Sequence, residues 1–263
     1  MTGSRTPISI TVVTVCQNAE ATIADAVRSV TRQEWPHREH LLIDGLSQDS
    51  TVAVAREHGD GSLRIRSERD HGVYDAMNKG ISQARGGIIG FLNADDWYCD
   101  ARVLADVAKV FSDERIDAVF GNLDYVTTDG SRIVRRWRSR PYVRGAFGRG
   151  WLPPHPTFFA RRRCFDRLGV FDLSYRTAAD FDLMNRFFTR GHIRSVHIPR
   201  TLVCMRTGGI SNASWQAVVG AQVENLRSLI STFGMVPPAY PVLKLADRLR
   251  QIYRARAHRR SVP

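Results

Sequence analysis

Residues 87–96 read GIIGFLNADD, an apolar run that ends abruptly in a polar cluster. The run from Gly87 to Leu92 is apolar at every position, so a strand formed there would be covered on both faces. Strands of this kind belong to parallel sheets with helices packed on either side. The polar residues that follow, Asn93 to Asp96, would then lie beyond the carboxyl end of a buried strand, where ligands of α/β sheets bind.

The flanking sequence repeats this alternation over the first 120 residues. Strands are predicted at 8–15, 40–43, 63–67, 87–92 and 117–123, and helices at 19–30, 51–57, 74–84 and 102–111. The pattern predicts an α/β fold with a mostly parallel sheet and right-handed crossovers. Four strands are followed by polar clusters: Gln17-Asn18, Asp44-Gly45, Asp70-His71-Gly72 and Asn93 to Asp96. We therefore expect these clusters to meet at one edge of the sheet.

The rest of the chain has a different pattern. We expect a hairpin around Asp129-Gly130, a loop over the site at 145–156, helices at 165–168 and 181–188, a strand at 193–198 and a helix at about 213–233. Pro237-Pro238 separates a last helix, from 242 to about 257. The predicted organisation is one domain at 1–235, divided into halves at 1–123 and 124–235, followed by a basic C-terminal helix at 236–263.

Charge and cysteine content limit the class of protein. The chain has 38 lysine and arginine residues against 26 acidic ones, a net charge of +12, which suits nucleotide phosphates, acidic lipids or nucleic acid. An arginine-rich codon usage would give the same balance. The four cysteines lack metal-ligand spacing, so we expect reduced thiols and no structural zinc. No segment is long enough to cross a membrane, and we expect a cytoplasmic protein.

The adjacent carboxylates of Asp95 and Asp96 predict a cation site. Two such groups repel each other and are hard to keep ionised unless a cation lies beside them. Mg²⁺ and Mn²⁺ prefer a few carboxylate ligands completed by phosphate oxygens and water. Such an ion can neutralise a diphosphate leaving group. The alternative is a solvated loop in which Asp100 caps the next helix.

Four segments resemble glycosyltransferase family 2 in order and spacing: ITVVTVCQN at 10–18, IDGLSQDST at 43–51, GVYDAMNKG at 72–80 and FLNADD at 91–96. The resemblance continues more weakly to about residue 212, through HPTF at 155–158, GVFD at 169–172 and ADFD at 179–182. It is closest to bacterial members that build polysaccharides and glycolipids. It implies the GT-A fold, a Rossmann-like sheet with helices on both faces. It also implies inverting transfer of a sugar from a nucleoside diphosphate, with UDP favoured, to a saccharide or lipid-linked acceptor.

The resemblance implies contacts between this donor and four residues of the first half. Thr14 and Asn18 lie at the end of the first strand, where Thr14 would contact the nucleotide. Asp44 would hydrogen-bond the base or its ribose, although a plain capped turn explains the same residues. Asp75 lies where the family often has an acid that contacts the nucleotide or sugar.

The resemblance also implies which residues bind the divalent cation and which residue is the catalytic base. Asp95 and Asp96 match the acidic motif that binds the divalent cation, and Asn93 stands where many relatives have Asp. Asp180 matches the catalytic base, although Ala179 replaces the usual Glu. From the local pattern alone, Asp180 would be read as a helix cap.

Three further features have two interpretations each. His155, with Trp151 nearby, lines the sugar or acceptor pocket or is a structural hydrogen-bonding residue. Arg206, in the segment 206–211, binds the diphosphate or belongs to a plain turn. The basic C-terminal helix contacts an anionic membrane at its inner face or packs on the domain.

Two other functions fit part of the sequence. A sugar-phosphate nucleotidyltransferase would need a basic, Gly-rich loop after the first strand, where this chain has Gln17-Asn18-Ala19-Glu20. A nucleic-acid-binding protein would interleave arginines with aromatic residues, and Arg135-Arg136-Trp137-Arg138 is the one candidate. The second function leaves the acidic edge unexplained, so we expect no nucleic-acid partner.

Overall fold

The structure is a computed structural model that describes residues 7–208 and 215–243, with side chains from residue 220 onward in the second range. Its helices and strands, in chain order, are β1 (Ile10–Cys16), α1 (Ile23–Thr31), β2 (Arg38–Asp44), α2 (Thr51–His58), β3 (Leu63–Ser67), α3 (Val73–Gln83), β4 (Ile88–Phe91), β5 (Asp96–Tyr98), α4 (Val103–Phe111), β6 (Ala118–Val126), β7 (Ile133–Trp137), β8 (Phe159–Arg161), α5 (Arg162–Leu168), α6 (Ala179–Asn185), β9 (Ser195–Arg206) and α7 (Trp215–Phe233). The strands form one sheet in the order β3-β2-β1-β4-β8-β6-β9-β5, and β7 pairs with β6.

The first half of the sheet is parallel, as the alternating sequence predicted. β3, β2, β1 and β4 are neighbours that run in the same direction. Cys16 lies opposite Asp44, and Asp44 lies opposite Ser67, so these strands end level with one another. The loops that follow them therefore emerge at a common edge.

The second half is mixed, and two of its strands were not predicted. β8 is antiparallel to both β4 and β6, and β5 is antiparallel to β9. Each has three residues, too few for a periodic pattern. β9 extends from Ser195 to Arg206, well beyond the predicted strand at 193–198. The expected division at residue 123 falls inside β6, and both halves contribute to the same sheet.

The segment at 145–156 packs partly into the core, and its position over the site stays a prediction. It contains a 3₁₀ turn at Phe147–Arg149 and enters a second one at His155. Phe147 is fully buried, and Trp151 packs edge-on against Phe120 with 5.5 Å between ring centroids. The aromatic residues of this segment are drawn into the core because their burial outweighs the polarity of the surrounding turns.

Predictions for the C-terminal part have two outcomes. α7 confirms the helix expected at about 213–233. Most of the expected basic C-terminal helix, and residues 209–211 of the segment after Arg206, lie outside the described residues. Within the described ranges, every helix is too short or too polar to cross a bilayer.

Gly90 in β4 permits the contact that joins the two halves. A Cβ atom at this position would lie 2.3 Å from Cδ1 of Phe159 in β8. Phe159 is fully buried, so its ring has little room to move.

We expect Gly90→Ala to lower the free energy of unfolding by about 1–3 kcal/mol, because the methyl group overpacks this contact. The measurement is urea unfolding followed by circular dichroism. Gly87→Ala is the control, since the nearest atom to its Cβ would be Ser9 Oγ at 3.9 Å. Equal midpoints for the two variants would contradict the prediction.

Candidate active site

The loop after β2 is organised around Asp44. Its carboxylate is fully buried and accepts hydrogen bonds from the Ser47 N–H at 3.2 Å, from the Ser47 hydroxyl, and from Ser67 Oγ at 2.6 Å. The Cys16 thiol donates to it from the neighbouring strand. These bonds fix the turn at the edge of the sheet. A direct contact between Asp44 and a nucleoside would require one of them to open, and it stays a prediction.

The loop after β1 is bonded to the same turn. The exposed Asn18 accepts a hydrogen bond from the Gln48 N–H at 2.9 Å, and its own N–H donates to Ser47 Oγ at 2.8 Å. Asn18 has a φ of 50°, a left-handed conformation that Asn tolerates. Thr14 is fully buried, and its hydroxyl is bonded to His40 Nε2 at 3.0 Å. The structure thus gives Asn18 a surface that a ligand can reach, and gives the Thr14 side chain none.

Asp75 lies in the first turn of α3, the helix that follows β3. Its carboxylate accepts a hydrogen bond from the His71 N–H at 3.0 Å and lies 3.6 Å from Lys79 Nζ. The Lys79 ammonium also donates to the Arg69 carbonyl. Asp75 therefore holds the entry to α3, and its contact with a nucleotide or sugar remains a prediction.

The acidic motif contains a carboxylate whose hydrogen bonding is incomplete. Asp96 is fully buried, and its Oδ2 accepts a hydrogen bond from Asn93 Nδ2 at 3.0 Å. Its Oδ1 is buried and has no partner among the described residues. Burial, together with the charge of Asp95, raises the pKa of Asp96 well above its usual range. Burial also raises the pKa of Asp95. The pair is thus an electrostatically unfavourable arrangement that a divalent cation would relieve.

Arg206 is bonded to this motif and also lines a surface cavity beside Trp97 and Asp129. Its guanidinium donates to the carbonyl oxygens of Asp95 at 2.9 Å and Thr128 at 3.1 Å, and to the carboxylate of Asp25. It also lies over the Trp97 ring, 4.5 Å from its centroid. All three nitrogens therefore have protein partners. These contacts fix the orientation of the guanidinium, and its contact with the diphosphate stays a prediction.

Asp180 lies in the first turn of α6 and is bonded to α3. Its Oδ1 accepts a hydrogen bond from the Phe181 N–H at 2.8 Å. The single proton of the Tyr74 hydroxyl is shared between Asp180 Oδ1 at 3.3 Å and the Thr177 carbonyl oxygen at 3.0 Å. The N-cap of α6 is Ala178, so Asp180 is not the helix cap. Burial and the charge of Asp180 raise the pKa of Tyr74 well above its usual value, so Tyr74 remains a hydrogen-bond donor. Oδ2 of Asp180 receives no hydrogen bond from the described part of the chain and remains available.

Glu224, which the sequence did not indicate, holds the turn that leads to Asp180. From α7, its carboxylate accepts the N–H groups of Arg176, Thr177 and Ala178 at 2.8–2.9 Å and the Thr177 hydroxyl at 3.0 Å. Burial opposes ionisation, but these bonds outweigh it and lower the pKa of Glu224. The contacts span 46 to 48 residues, so no local pattern could have revealed them.

The structure thus has an acidic motif after β4 and a separate carboxylate fixed in the first turn of α6. Comparison with known proteins shows which family the chain belongs to. The sequence model of glycosyl transferase family 2 matches residues 11–178. The chain belongs to glycosyltransferase family 2. A PGL/p-HBAD biosynthesis glycosyltransferase of Mycobacterium bovis is 32% identical over 201 residues, 74% of this chain and 76% of that protein. An uncharacterized glycosyltransferase of Mycobacterium tuberculosis is 30% identical over 182 residues, 68% of each chain.

Solved structures of other glycosyltransferases show that the fold is GT-A. The mannosyltransferase PcManGT from Pyrobaculum calidifontis, in complex with GDP-Man and Mn²⁺, superposes with a TM-score of 0.68 at 20% identity, covering 96% of this chain and 74% of that one. TarS of S. aureus, in complex with UDP-GlcNAc, gives a TM-score of 0.64 at 14% identity, covering 95% and 74%. Family membership makes the protein a glycosyltransferase, in preference to a nucleotidyltransferase or a nucleic-acid-binding protein.

The arginine-rich segment that motivated nucleic-acid binding contacts the protein itself. The Arg135 guanidinium lies 3.7 Å from the centroid of the Tyr125 ring, and Arg138 forms an ion pair with Asp124 at 2.7 Å. These contacts fasten the hairpin of β6 and β7.

We expect Glu224→Gln to lower kcat by about 10- to 100-fold, because the turn before Asp180 loses part of its support. Nucleotide binding should not change. The measurement is release of nucleoside diphosphate from a nucleotide sugar, with Val223→Ala as the control, since that neighbour on α7 is 61% exposed. An unchanged kcat in the Glu224→Gln variant would contradict this role for Glu224.

Proposed function

We propose that this family 2 glycosyltransferase transfers a sugar from a nucleoside-diphosphate sugar, most readily a UDP sugar, to an acceptor hydroxyl with inversion. The observation that carries the proposal is the buried Oδ1 of Asp96, which has no hydrogen-bond partner within residues 7–208 and 220–243 and lies beside the Asp95 carboxylate. The pair follows β4, at the edge where ligands of α/β sheets bind. Two similar structures contain GDP-Man with Mn²⁺ and UDP-GlcNAc.

The residues present fit a divalent cation. No cluster of three or more His, Cys, Asp or Glu side chains suited to a metal occurs within residues 7–208 and 220–243. In this proposal an ion would use Asp95 and Asp96 and complete its shell with diphosphate oxygens and water, as Mg²⁺ and Mn²⁺ often do. When bound, it would neutralise the charge of the diphosphate leaving group. Asn93, bonded to Asp96, would orient that carboxylate.

The donor nucleotide would lie on the loops that follow β1 and β2. Asn18 and the turn from Asp44 to Ser47 are bonded together and form a prearranged surface there. In this proposal the carboxylate of Asp44 shapes the surface that meets the nucleoside. Asp75, at the entry to α3, contributes to the same edge.

Asp180 would act as the base. Its Oδ1 is held by Tyr74 and by the Phe181 N–H, and its Oδ2 would accept the proton of the acceptor hydroxyl. The acceptor oxygen would then attack the anomeric carbon from the face opposite the departing diphosphate. A fixed carboxylate reduces the reorganisation needed for that step.

The acceptor would be a saccharide or a lipid-linked glycan of the cell surface. The net charge of +12 and the arginines beyond residue 243 suit an anionic membrane surface, where such acceptors occur. Exposed apolar side chains are also present near the same end of the chain: Ile230, Met235, Val242 and Leu243. Peripheral contact with the inner face of the membrane is therefore part of the proposal.

We expect Asp96→Asn to abolish Mn²⁺-dependent binding of UDP, GDP or dTDP in calorimetric titration. The free energy of unfolding should be unchanged or higher, because a buried charge is removed while Asn93 keeps an acceptor. Asp166→Asn is the control, since Asp166 is an exposed carboxylate on α5. Mn²⁺-dependent binding that survives in the Asp96→Asn variant would exclude Asp96 as a ligand.

We expect Asp180→Asn to lower kcat by about 100-fold or more, because the base is lost. Its affinity for the nucleotide with Mn²⁺ should equal that of the wild type. Asp172→Asn removes an exposed carboxylate from the preceding turn and serves as the control. Near-normal turnover of the Asp180→Asn variant would rule out Asp180 as the base.

A further inference from the structure

His155 is held in a fixed orientation inside an aromatic cage. It is buried, and only 8% of the residue remains accessible. The imidazole stacks on Phe91 with ring centroids 5.3 Å apart and planes at 26°. It meets Phe171 edge-on at 5.6 Å. The two rings restrict rotation of the imidazole, so the directions of its nitrogen atoms are defined.

The Nε2 atom of this imidazole is buried and has no hydrogen-bond partner among the described residues. The aromatic rings that surround it offer no conventional acceptor. A buried polar atom in this state destabilises the folded protein. Such an atom is retained at little disadvantage when a ligand supplies the missing bond.

A second stacked histidine shows the arrangement expected for a structural role. His197 stacks on Phe120 with ring centroids 5.4 Å apart and planes at 23°. Its Nε2 is bonded to Asn122 Oδ1 at 3.1 Å. The two histidines have nearly the same stacking contact, but His155 is the more deeply buried. Among the described residues, the Nε2 of His155 lacks the hydrogen bond that the Nε2 of His197 has.

His155 lies between the two parts of the proposed reaction centre. Phe91, beneath its ring, ends β4 and leads directly to Asn93 and the acidic motif. Phe171, at its other side, stacks on Tyr74 with ring centroids 5.4 Å apart, and the Tyr74 hydroxyl donates to Asp180. A sugar whose diphosphate is bound near Asp95 and whose anomeric carbon faces Asp180 would occupy this position.

Electrostatics keep the imidazole neutral. Burial lowers the pKa of His155, and the nearby charge of Asp180 offsets this only in part. A neutral imidazole has one donor and one acceptor nitrogen, so it can form one hydrogen bond of either kind with a hydroxyl. It adds no charge beside the carboxylate of Asp180.

We propose that His155 Nε2 binds a hydroxyl of the transferred sugar and thereby contributes to the choice of donor sugar. The inference rests on the proposed function, since it requires a nucleotide-sugar donor at this edge of the sheet. A site that hydrogen-bonds a substrate hydroxyl discriminates strongly against donors that lack it, because the protein atom is then left unpaired.

The test compares His155→Phe with wild type in titrations with a nucleoside diphosphate and with its sugar derivative, in Mn²⁺. The nucleotide is chosen from UDP, GDP and dTDP, as the one whose hexose derivative binds the wild type most tightly. We expect the Kd of the nucleotide sugar to rise by about 5- to 100-fold, with the Kd of the free nucleotide changed less than about twofold. His155→Gln, which retains a hydrogen-bonding group, should recover part of the affinity.

Thermal unfolding separates this role from a structural one. His155→Phe should leave the midpoint unchanged or raise it, because an unpaired polar atom is replaced by an apolar ring in an apolar cage. His197→Phe is the matched control and should lower the midpoint, because it breaks a hydrogen bond made by an equally stacked ring.

Two outcomes would overturn the assignment of His155. One is an unchanged affinity for the nucleotide sugar, and the other is an equal loss for sugar and free nucleotide together with a midpoint lowered as in His197→Phe. Failure of the proposed function would be seen in the wild type, which would then bind none of the nucleotides in Mn²⁺, and both proposals would fall together.

Discussion

The two halves of the molecule are joined through the three residues of β8. Phe159 to Arg161 pair with β4 on one side and with β6 on the other. The Arg161 guanidinium extends this junction by donating to the carbonyl oxygens of Phe111, Asp113 and Ile116. The turn that carries His155 leads directly into β8. The same short strand therefore joins the two parts of the sheet and positions the turn that carries His155.

The parallel half of the sheet could be predicted because the residues that specify each strand and turn are close together in the sequence. Four strands, each followed by a polar cluster, specify strand, crossover and ligand edge without reference to distant residues. The hairpin at Asp129-Gly130 is specified in the same way, and β6 and β7 are its two strands. β5 and β8 could not be predicted, since strands of three residues are defined only by the neighbours that pair with them.

The site was predictable to a similar degree and for the same reason. Asp95 and Asp96 are adjacent, so their repulsion can be inferred from the sequence alone. The bond between Tyr74 and Asp180 joins residues 106 positions apart, and that between Arg206 and the Asp95 carbonyl joins residues 111 apart. The roles of Glu224 and of the cage around His155 also depend on tertiary packing. The sequence can indicate which residues are chemically capable, whereas their orientation depends on the completed fold.

The bonds from Glu224 to the turn before Asp180 have a consequence for the order in which parts of the protein are completed during translation. The family match ends at residue 178, yet that turn is held by a side chain on α7, at position 224. A ribosome that has already released the whole nucleotide-binding half has not yet synthesised Glu224. The turn that leads to the proposed base is therefore held in place only after α7 has been synthesised.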